Sequence, residues 1–425
     1  MLDIKFIRAN PDIVRADLKK RGDKEKQEWL EDLLQKDKEY RQLLVDLEKI
    51  QAERNQITKK IAEAVKAGKD ASAEKKTAAE LPGKIKTAEA KVVELQEKVK
   101  FYLMRLPNIL HESVPVGKDE TGNVTVREWG QKKKFDFIPK SHVDILQELD
   151  LADIERAAKI SGARFYFLKG DLVLLEQAVL KFALDKMIEK GFLPISPPNM
   201  MKTEPYEGVT DLADFESVMY KIEGEDLHMI ATSEHPIAAM HMNEILPEEA
   251  LPLKYVGFSP CYRKEAGTHG KDTKGIFRVH QFNKVEQYVF CKPEDSWKIH
   301  EELQRNAEEI FEALEIPYRV VNICTGDIGI VASKKYDIEA WMPVQGKYRE
   351  VTSCSNCTSY QARRLNIKYG LVGGEKEYVH TLNNTALATP RALVAIIENY
   401  QNKDGSITIP KVLVPYMGKE KITKI

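Results

Sequence analysis

A chain of 425 residues, 43% hydrophobic and 31% charged, can bury a sizeable core and has room for two or three domains of about 150 residues each. Its formal net charge of −1 excludes a uniformly basic or acidic binding protein. Neither an N-terminal apolar signal segment nor a bilayer-length apolar run is found, and five cysteines, an odd number between Cys261 and Cys357, do not form a secreted disulfide framework. A reducing, cytoplasmic location is the expectation, with no membrane association.

Residues 1–22 predict a short helix with Asn10 as N-cap and Pro11 in the first turn. From Gln27 to Ala67 there is no proline, and Leu43, Leu47, Ile50, Ile57 and Ile61 mark an apolar stripe. A second segment sets Leu81, Ile85, Ala88, Val92, Leu95, Val99 and Tyr102 at spacings of four and three, a coiled-coil seam. Gly68-Lys69-Asp70-Ala71-Ser72 supplies a turn between them, so an antiparallel hairpin is predicted; Pro82-Gly83 should kink its second helix or mark its regular start. At 1.5 Å per residue, a helix of about 38 residues would make an arm of roughly 57 Å.

Arg54–Arg105 holds 13 Lys or Arg against 7 Asp or Glu. Residues 1–105 carry a net +5, which leaves −6 for the remainder. A basic rod on an acidic body favours a polyanion over a merely solvated helical face. Because aromatic residues are not interleaved on the distal arm, binding through backbone and shape, as for double-stranded RNA, is the expectation.

A proline-marked linker, Leu106–Pro115, separates this arm from a globular part. Helical patterns at 142–160, a strand at Phe165–Leu168 and a long amphipathic helix at 171–190 follow, the last running into an extended stretch, Phe192–Pro198. Strand signals recur at 227–231, 254–264, 276–290, 318–323, 336–342 and 348–353, with helices at 294–314 and 386–400. Strands in direct succession with helices in blocks predict an α+β fold on an antiparallel sheet. The spacing of a Walker P-loop or of Gly-x-Gly-x-x-Gly is missing, so a nucleotide site would use another device.

Val256–Phe290 reads as two strands joined by a glycine-bounded basic loop, Gly267–Gly275, the part expected to move. Strand alternation places Arg263 with Glu265 and Phe282 with Glu286. An arginine, an aromatic ring and two carboxylates can hold a nucleotide beside an ammonium group; an ordinary surface-charged hairpin fits the same residues. Cys354-Ser-Asn-Cys357 has half of a zinc or redox spacing, but no second half is in register, so a structural reading is favoured and no zinc is expected. Glu350-Val351-Thr352-Ser353 offers carboxylate and hydroxyl oxygens of the kind Mg²⁺ prefers. Thr232-Ser233-Glu234 reads as a helix cap or as a small polar pocket, and Arg391 as an ordinary helix arginine or a phosphate ligand.

Taken together, these stretches resemble the seryl-tRNA synthetases, class II aminoacyl-tRNA synthetases, over nearly the full length. The helix into Pro198 resembles motif 1 of that class, the dimer-forming element. Arg263-Lys-Glu265 through Arg278-Val279-His280-Gln281-Phe282-Asn-Lys-Val-Glu286 resembles motif 2, and Thr385 through Arg391 motif 3. Thr232-Ser-Glu234 resembles the family's serine-binding signature and Glu350-Val-Thr-Ser353 the signature contacting ATP and metal; these motifs in order, with a basic helical arm in front, are highly specific.

The resemblance implies an arm, residues 1–110, that grips the long variable arm of tRNA(Ser), and a catalytic domain, 111–425, of a homodimer. It implies ATP-dependent activation of L-serine and transfer to tRNA(Ser), with tRNA(Sec) as a further candidate. Arg263 would hold the α-phosphate and the serine carboxylate, Glu265 the adenine amino group, and Phe282 the adenine ring. Val279, His280, Gln281, Val351 and Thr352 would complete the ATP site; Glu350 and Ser353 would ligate Mg²⁺, and Arg391 would clamp the γ-phosphate. Thr232, Ser233, Glu234, Glu286, Asn383 and Thr385 would form the serine pocket, with Asn383 and Thr385 both candidates for direct contact. Arg263 and Arg391 are the catalytic candidates. The alternative is a non-charging relative or an amino-acid:carrier-protein ligase; loss of the arm, Arg263, Glu265 or Arg391 would favour it, and all are present.

Overall fold

The computed structural model describes residues 1–211, 217–265, 272, 274–371 and 374–424. It divides into two compact units, Leu2–Leu106 and, apart from Met1, Pro107–Ile425.

The first unit is a helical hairpin. Helices α1 (Ile4–Ala9) and α2 (Pro11–Arg21) precede two long ones, α3 (Lys24–Lys66) and α4 (Ser72–Leu103). The predicted single N-terminal helix is thus two. Asn10 does precede Pro11, yet its side chain makes no capping bond and donates back to the Phe6 carbonyl. Asp23 caps α3, whose 43 residues correspond to roughly 65 Å. All seven predicted seam residues of α4 are buried or half-buried. Pro82 lies inside α4, and the helix continues through it. Near the N-terminal end, buried Asp37 receives two hydrogen bonds from Arg8 and one from Arg41, while Trp29 packs edge-on to Phe101.

The second unit is built on one sheet of eight strands: β1 (Val124–Trp129), β2 (Leu193–Ile195), β3 (Leu253–Tyr262), β4 (Gln281–Cys291), β5 (Tyr318–Asn322), β6 (Lys334–Met342), β7 (Lys347–Thr358) and β8 (His380–Ala388). Their order is β1-β5-β6-β7-β8-β4-β3-β2. Every pairing is antiparallel except β2 with β3 at the edge, which is parallel. Its helices include α5 (His142–Glu148), α6 (Ile154–Ser161), α7 (Asp171–Glu189), α8 (Glu234–Ala239), α9 (Ser296–Ala313), α10 (Tyr360–Leu365) and α11 (Thr389–Asn399). Leucines, valines and alanines of α7 and α11 join Val285, Val289, Ile338 and Leu382 of the sheet in one apolar core. Among the described residues, no helix is long and apolar enough to cross a membrane.

Three expectations need correction. The hairpin strands are shorter toward the loop than predicted: β3 stops at Tyr262 and β4 begins at Gln281. The helical patterns at 142–160 are interrupted by a short strand, Ala152–Asp153, between two helices. Residues 386–388 belong to β8, and the helix predicted at 386–400 starts at Thr389. His380–Ala388 carries Asn383-Asn384, residues that normally mark turns, yet most of the strand is buried in mid-sheet. Most of its polar side chains find partners there: Asn384 Nδ2 donates to the Leu303 carbonyl and Thr381 to Gln361, while Asn384 Oδ1 has no hydrogen-bond partner among the described residues. Most of the predicted mobile loop (residues 266–271 and 273) lies outside the described residues.

Candidate active site

β4, β6, β7 and β8 and the starts of α8 and α11 surround an open cavity of about 380 Å³. Alternation along β4 turns Phe282, Lys284 and Glu286 into it. Directly opposite Glu286 on β8 is Thr385, whose Oγ1 donates to Glu286 Oε2 at 2.9 Å. Two residues earlier, Asn383 shares that face and donates to Glu234 Oε1 at 3.0 Å. Glu234 opens α8, and Gln361 of α10 donates to the same oxygen.

α8 sits close to the sheet because β3 offers Gly257 beneath it. A Cβ there would lie 2.5 Å from Ser233 Oγ and 2.6 Å from Ile237 Cδ1. Gly257 is also the register partner of Glu286, so one glycine sets the separation of the two acidic elements.

A bulge explains the opposite wall. Thr352 pairs with Ile338 and Glu350 with Glu339, leaving Val351 as an extra residue on β7. Strict alternation would split Glu350 and Ser353 across the sheet; with the bulge, Glu350, Val351, Thr352 and Ser353 all line the cavity. Arg391, in the first turn of α11, donates to the Glu350 carbonyl at 2.9 Å and lies 3.4 Å from its carboxylate. Arg391 and Arg349 both pack against the ring of Phe277, at 5.2 and 4.2 Å from its centroid.

Arg263 lies just beyond β3, so the strand rule is not what positions it. Its backbone N–H bonds the His280 carbonyl, its carbonyl lies 2.7 Å from His280 Nδ1, and its Nε donates to the Ala231 carbonyl. The guanidinium stands 5.3 Å from the Phe282 ring centroid. Glu265 follows with a left-handed φ of 51° and is paired with Arg278 at 2.7 Å.

Electrostatics differ between the two ends. Burial, reinforced by the charge of Glu286, pushes the Glu234 carboxyl up to about 7, while Lys284 and Arg263 pull it down. Burial also lifts Asp337 to about 7. At Glu350, desolvation works upward, but Arg391, Lys335 and Arg263 outweigh it and hold the group below the usual carboxylate range. Asp337 faces Ser353 across the β6–β7 ladder. Asp337 Oδ1 and Thr352 Oγ1 are buried without a hydrogen-bond partner among the described residues. Glu350 and Ser353, which line the cavity, offer oxygen donors of the kind that fits a hard cation such as Mg²⁺. Among the described residues no group of three or more His, Cys, Asp or Glu is placed to hold a metal; Mg²⁺ commonly takes one or two carboxylates and completes its shell with phosphate and water.

Of the predicted site residues, Thr232, Glu234, Arg263, Glu265, Val279, Phe282, Glu286, Glu350, Val351, Thr352, Ser353, Asn383, Thr385 and Arg391 line the cavity. Ser233, His280 and Gln281 are not among its lining residues. Ser233 is fully buried under α8, and its hydroxyl has no hydrogen-bond partner among the described residues. His280 braces the Arg263 backbone, and Gln281 is exposed at the start of β4. Sequence reasoning passed over Lys284, Arg278, Arg349 and Phe277, which belong to or adjoin the site. For Lys284 the signal was present: it stands between Phe282 and Glu286 on a face already recognised. Cys354 and Cys357 are free and buried.

Known proteins resemble this chain over its whole length. Residues 1–110 match the Seryl-tRNA synthetase N-terminal domain, and residues 218–400 match the tRNA synthetase class II core domain (G, H, P, S and T). The serine--tRNA ligase of Methanocella arvoryzae is 59% identical, over 98% of this chain and 99% of its own. The crystal structure of seryl-tRNA synthetase from Pyrococcus horikoshii complexed with ATP superposes with a TM-score of 0.96 at 53% identity, covering 100% of both chains. That of the cytoplasmic serine-tRNA ligase from Naegleria fowleri in complex with AMP gives 0.90 at 36% identity, over 100% of this chain and 99% of its own. With both family domains matched in order and full-length relatives well above half identical, the chain belongs to the serine--tRNA ligases, ATP-dependent class II aminoacyl-tRNA synthetases.

Proposed function

We propose that this cavity activates L-serine with ATP and passes the seryl group to tRNA(Ser), and that tRNA(Sec) is a further acceptor. One observation carries the reading: two carboxylates, half-buried Glu234 and fully buried Glu286, face the same cavity as Arg263 and Arg391. An amino-acid ammonium suits the first pair, and carboxylate and phosphate groups suit guanidinium.

In this assignment Glu234 and Glu286 hold the ammonium, while Thr232, Asn383 and Thr385 complete the pocket around the hydroxyl. Arg263 aligns the serine carboxylate with the α-phosphate. A carboxylate oxygen attacks the α-phosphorus, the bond to the β-phosphate bridging oxygen breaks, and pyrophosphate leaves. Glu265 accepts from the adenine amino group, Phe282 stacks on the ring, and Arg391 holds the γ-phosphate. In the second step the terminal 3′ hydroxyl of tRNA attacks the adenylate carbonyl and AMP leaves. The rate advantage is assigned to alignment and to fixed positive charge around the phosphates. Glu350 and Ser353 would hold Mg²⁺, which when bound neutralises phosphate charge.

The arm, residues 1–110, is assigned to tRNA recognition on its basic charge, with 111–425 as the catalytic domain. The homodimer is assigned to α7, where Val173, Leu174 and Ile188 are exposed apolar residues on a motif 1-like helix. A cytoplasmic location fits free, buried cysteines. Arg263→Ala tests the site: serine-dependent pyrophosphate exchange should be abolished, and near-normal exchange would overturn the assignment.

A further inference from the structure

The serine end of the cavity contains a cation that none of the proposed substrate contacts uses. Lys284 is only 5% exposed, and its Nζ lies 2.7 Å from Glu286 Oε2 and 3.5 Å from Thr385 Oγ1. Thr385 Oγ1 donates to that same oxygen. Glu286 Oε2 is therefore engaged by two neighbours, whereas Oε1 accepts no hydrogen bond among the described residues.

Glu234 is arranged in the same way. Its Oε1 accepts from Gln361 and from Asn383, each at 3.0 Å, and its Oε2 accepts none among the described residues. Each carboxylate is thus fixed through one oxygen and keeps the other. An ammonium group has three donors and matches two such acceptors.

Charge sharpens the point. Glu234 and Glu286 alone would place −2 in a buried space, and like carboxylates in that situation retain a proton between them. A pair holding a proton is a poor ammonium site. The charged or titratable groups around Glu234 are Glu286, Lys284 and Arg263, together with Cys357, Tyr288 and Tyr206, whose thiol and phenols burial pushes upward, and His235, whose imidazole burial pushes down to about 3; these last four stay neutral. Arg263 is assigned to the substrate carboxylate and phosphate, which leaves Lys284 as the local counter-charge.

We propose that Lys284 is a positioning residue for amino-acid capture: it holds Glu286 through Oε2 and cancels one carboxylate charge, so that the pocket offers a net −1 to one incoming ammonium. The inference rests on the reading of Glu234 and Glu286 as the ammonium site. It also explains why a lysine sits one strand repeat from Glu286, on the face that lines the cavity.

The test compares Lys284→Met and Lys284→Arg with the unaltered enzyme in pyrophosphate exchange. Lys284→Met is expected to raise the serine KM at least tenfold at neutral pH with the ATP KM changed less than twofold. The loss should shrink as pH rises from 7 to 8.5, because the retained proton then leaves the pair, and Lys284→Arg should recover part of it. Calorimetry in two buffers of different ionisation enthalpy adds a readout that simple packing would not move: serine binding at pH 7.5 should release more protons in Lys284→Met. An unchanged serine KM, or serine and ATP KM rising together without recovery at high pH, overturns the proposal. Glu234→Gln separates the two layers: an unchanged serine KM in that variant sinks the ammonium site itself, whereas a raised value there beside an unchanged value in Lys284→Met sinks only the role of the lysine.

Discussion

Gly257→Ala adds one methyl group at a position with no room for it. The new Cβ would stand 2.5 Å from Ser233 Oγ, 2.6 Å from Ile237 Cδ1 and 2.7 Å from Ser233 Cβ, where ordinary contact begins at 3.4 Å. Restoring contact takes a displacement of about 0.9 Å between β3 and α8. Rotating the Ser233 hydroxyl away does not suffice, because the Cβ and the Ile237 methyl are also too close. Overpacking of this kind costs about 1–3 kcal/mol, and in a unit of this size the melting temperature should fall by roughly 1–2 °C for each kcal/mol. The functional effect should exceed the effect on stability. Glu234 is the first residue of α8, and Glu286 is the register partner of Gly257, so the shift opens the gap between the two carboxylates. Misplacement by about 1 Å can cost on the order of a hundredfold, and kcat/KM for serine should fall by roughly ten- to a hundredfold. The ATP KM should hold within about twofold, because Glu265, Phe282 and Arg391 stand on other elements. Pyrophosphate exchange at varied serine and varied ATP, with a thermal melt, reads all three quantities. Unchanged serine kinetics in a protein with an unchanged melt would refute the packing argument; parallel losses for serine and ATP would refute its localisation.

Four further outcomes follow from the same geometry. Ser233→Ala should leave the serine KM unaltered, since that hydroxyl is buried under α8; a tenfold rise would return Ser233 to the substrate pocket. The Glu234 carboxyl sits near 7, and ammonium capture needs its ionised form, so affinity should be lost on the acid side: from pH 8 to pH 6 the serine KM should rise about tenfold with the ATP KM flat, and a flat serine profile would show that Glu234 does not titrate there. Excising residues 44–90, distal to the Arg8–Asp37 bonds and the Trp29–Phe101 contact, should spare pyrophosphate exchange and cripple aminoacylation; equal loss of both would argue against the arm as the tRNA grip. Binding of tRNA should weaken steeply between low and physiological salt, and a shallow dependence would remove backbone charge as its basis.

Much of the fold was legible in the residues. The seam from Leu81 to Tyr102 is a local, periodic property, and each of its members is shielded on α4. Long amphipathic helices such as α7 and α9, and strands rich in β-branched and aromatic residues, declare themselves by period alone. The site motifs could likewise be read, because Arg263, Glu286, Glu350 and Arg391 lie in short distinctive runs.

What could not be read from the chain are features that depend on a neighbour distant in sequence. β8 carries two asparagines in mid-sheet, accommodated because the Leu303 carbonyl and the Glu234 carboxylate, both distant in sequence, accept from their amides. The bulge at Val351 exists only in the register of β7 against β6, yet it decides that Glu350 and Ser353 share a wall. Gly257 looks like any strand glycine until α8 is laid over it. The sequence alone determined which helices and strands form and which residue types could bind a nucleotide and an amino acid, since these follow from side-chain period and chemistry. Tertiary structure decided which carboxylate oxygens remain for substrate, which serine is buried out of reach, and that Lys284 supplies the counter-charge, since desolvation and hydrogen-bond saturation arise only when separate segments are packed together.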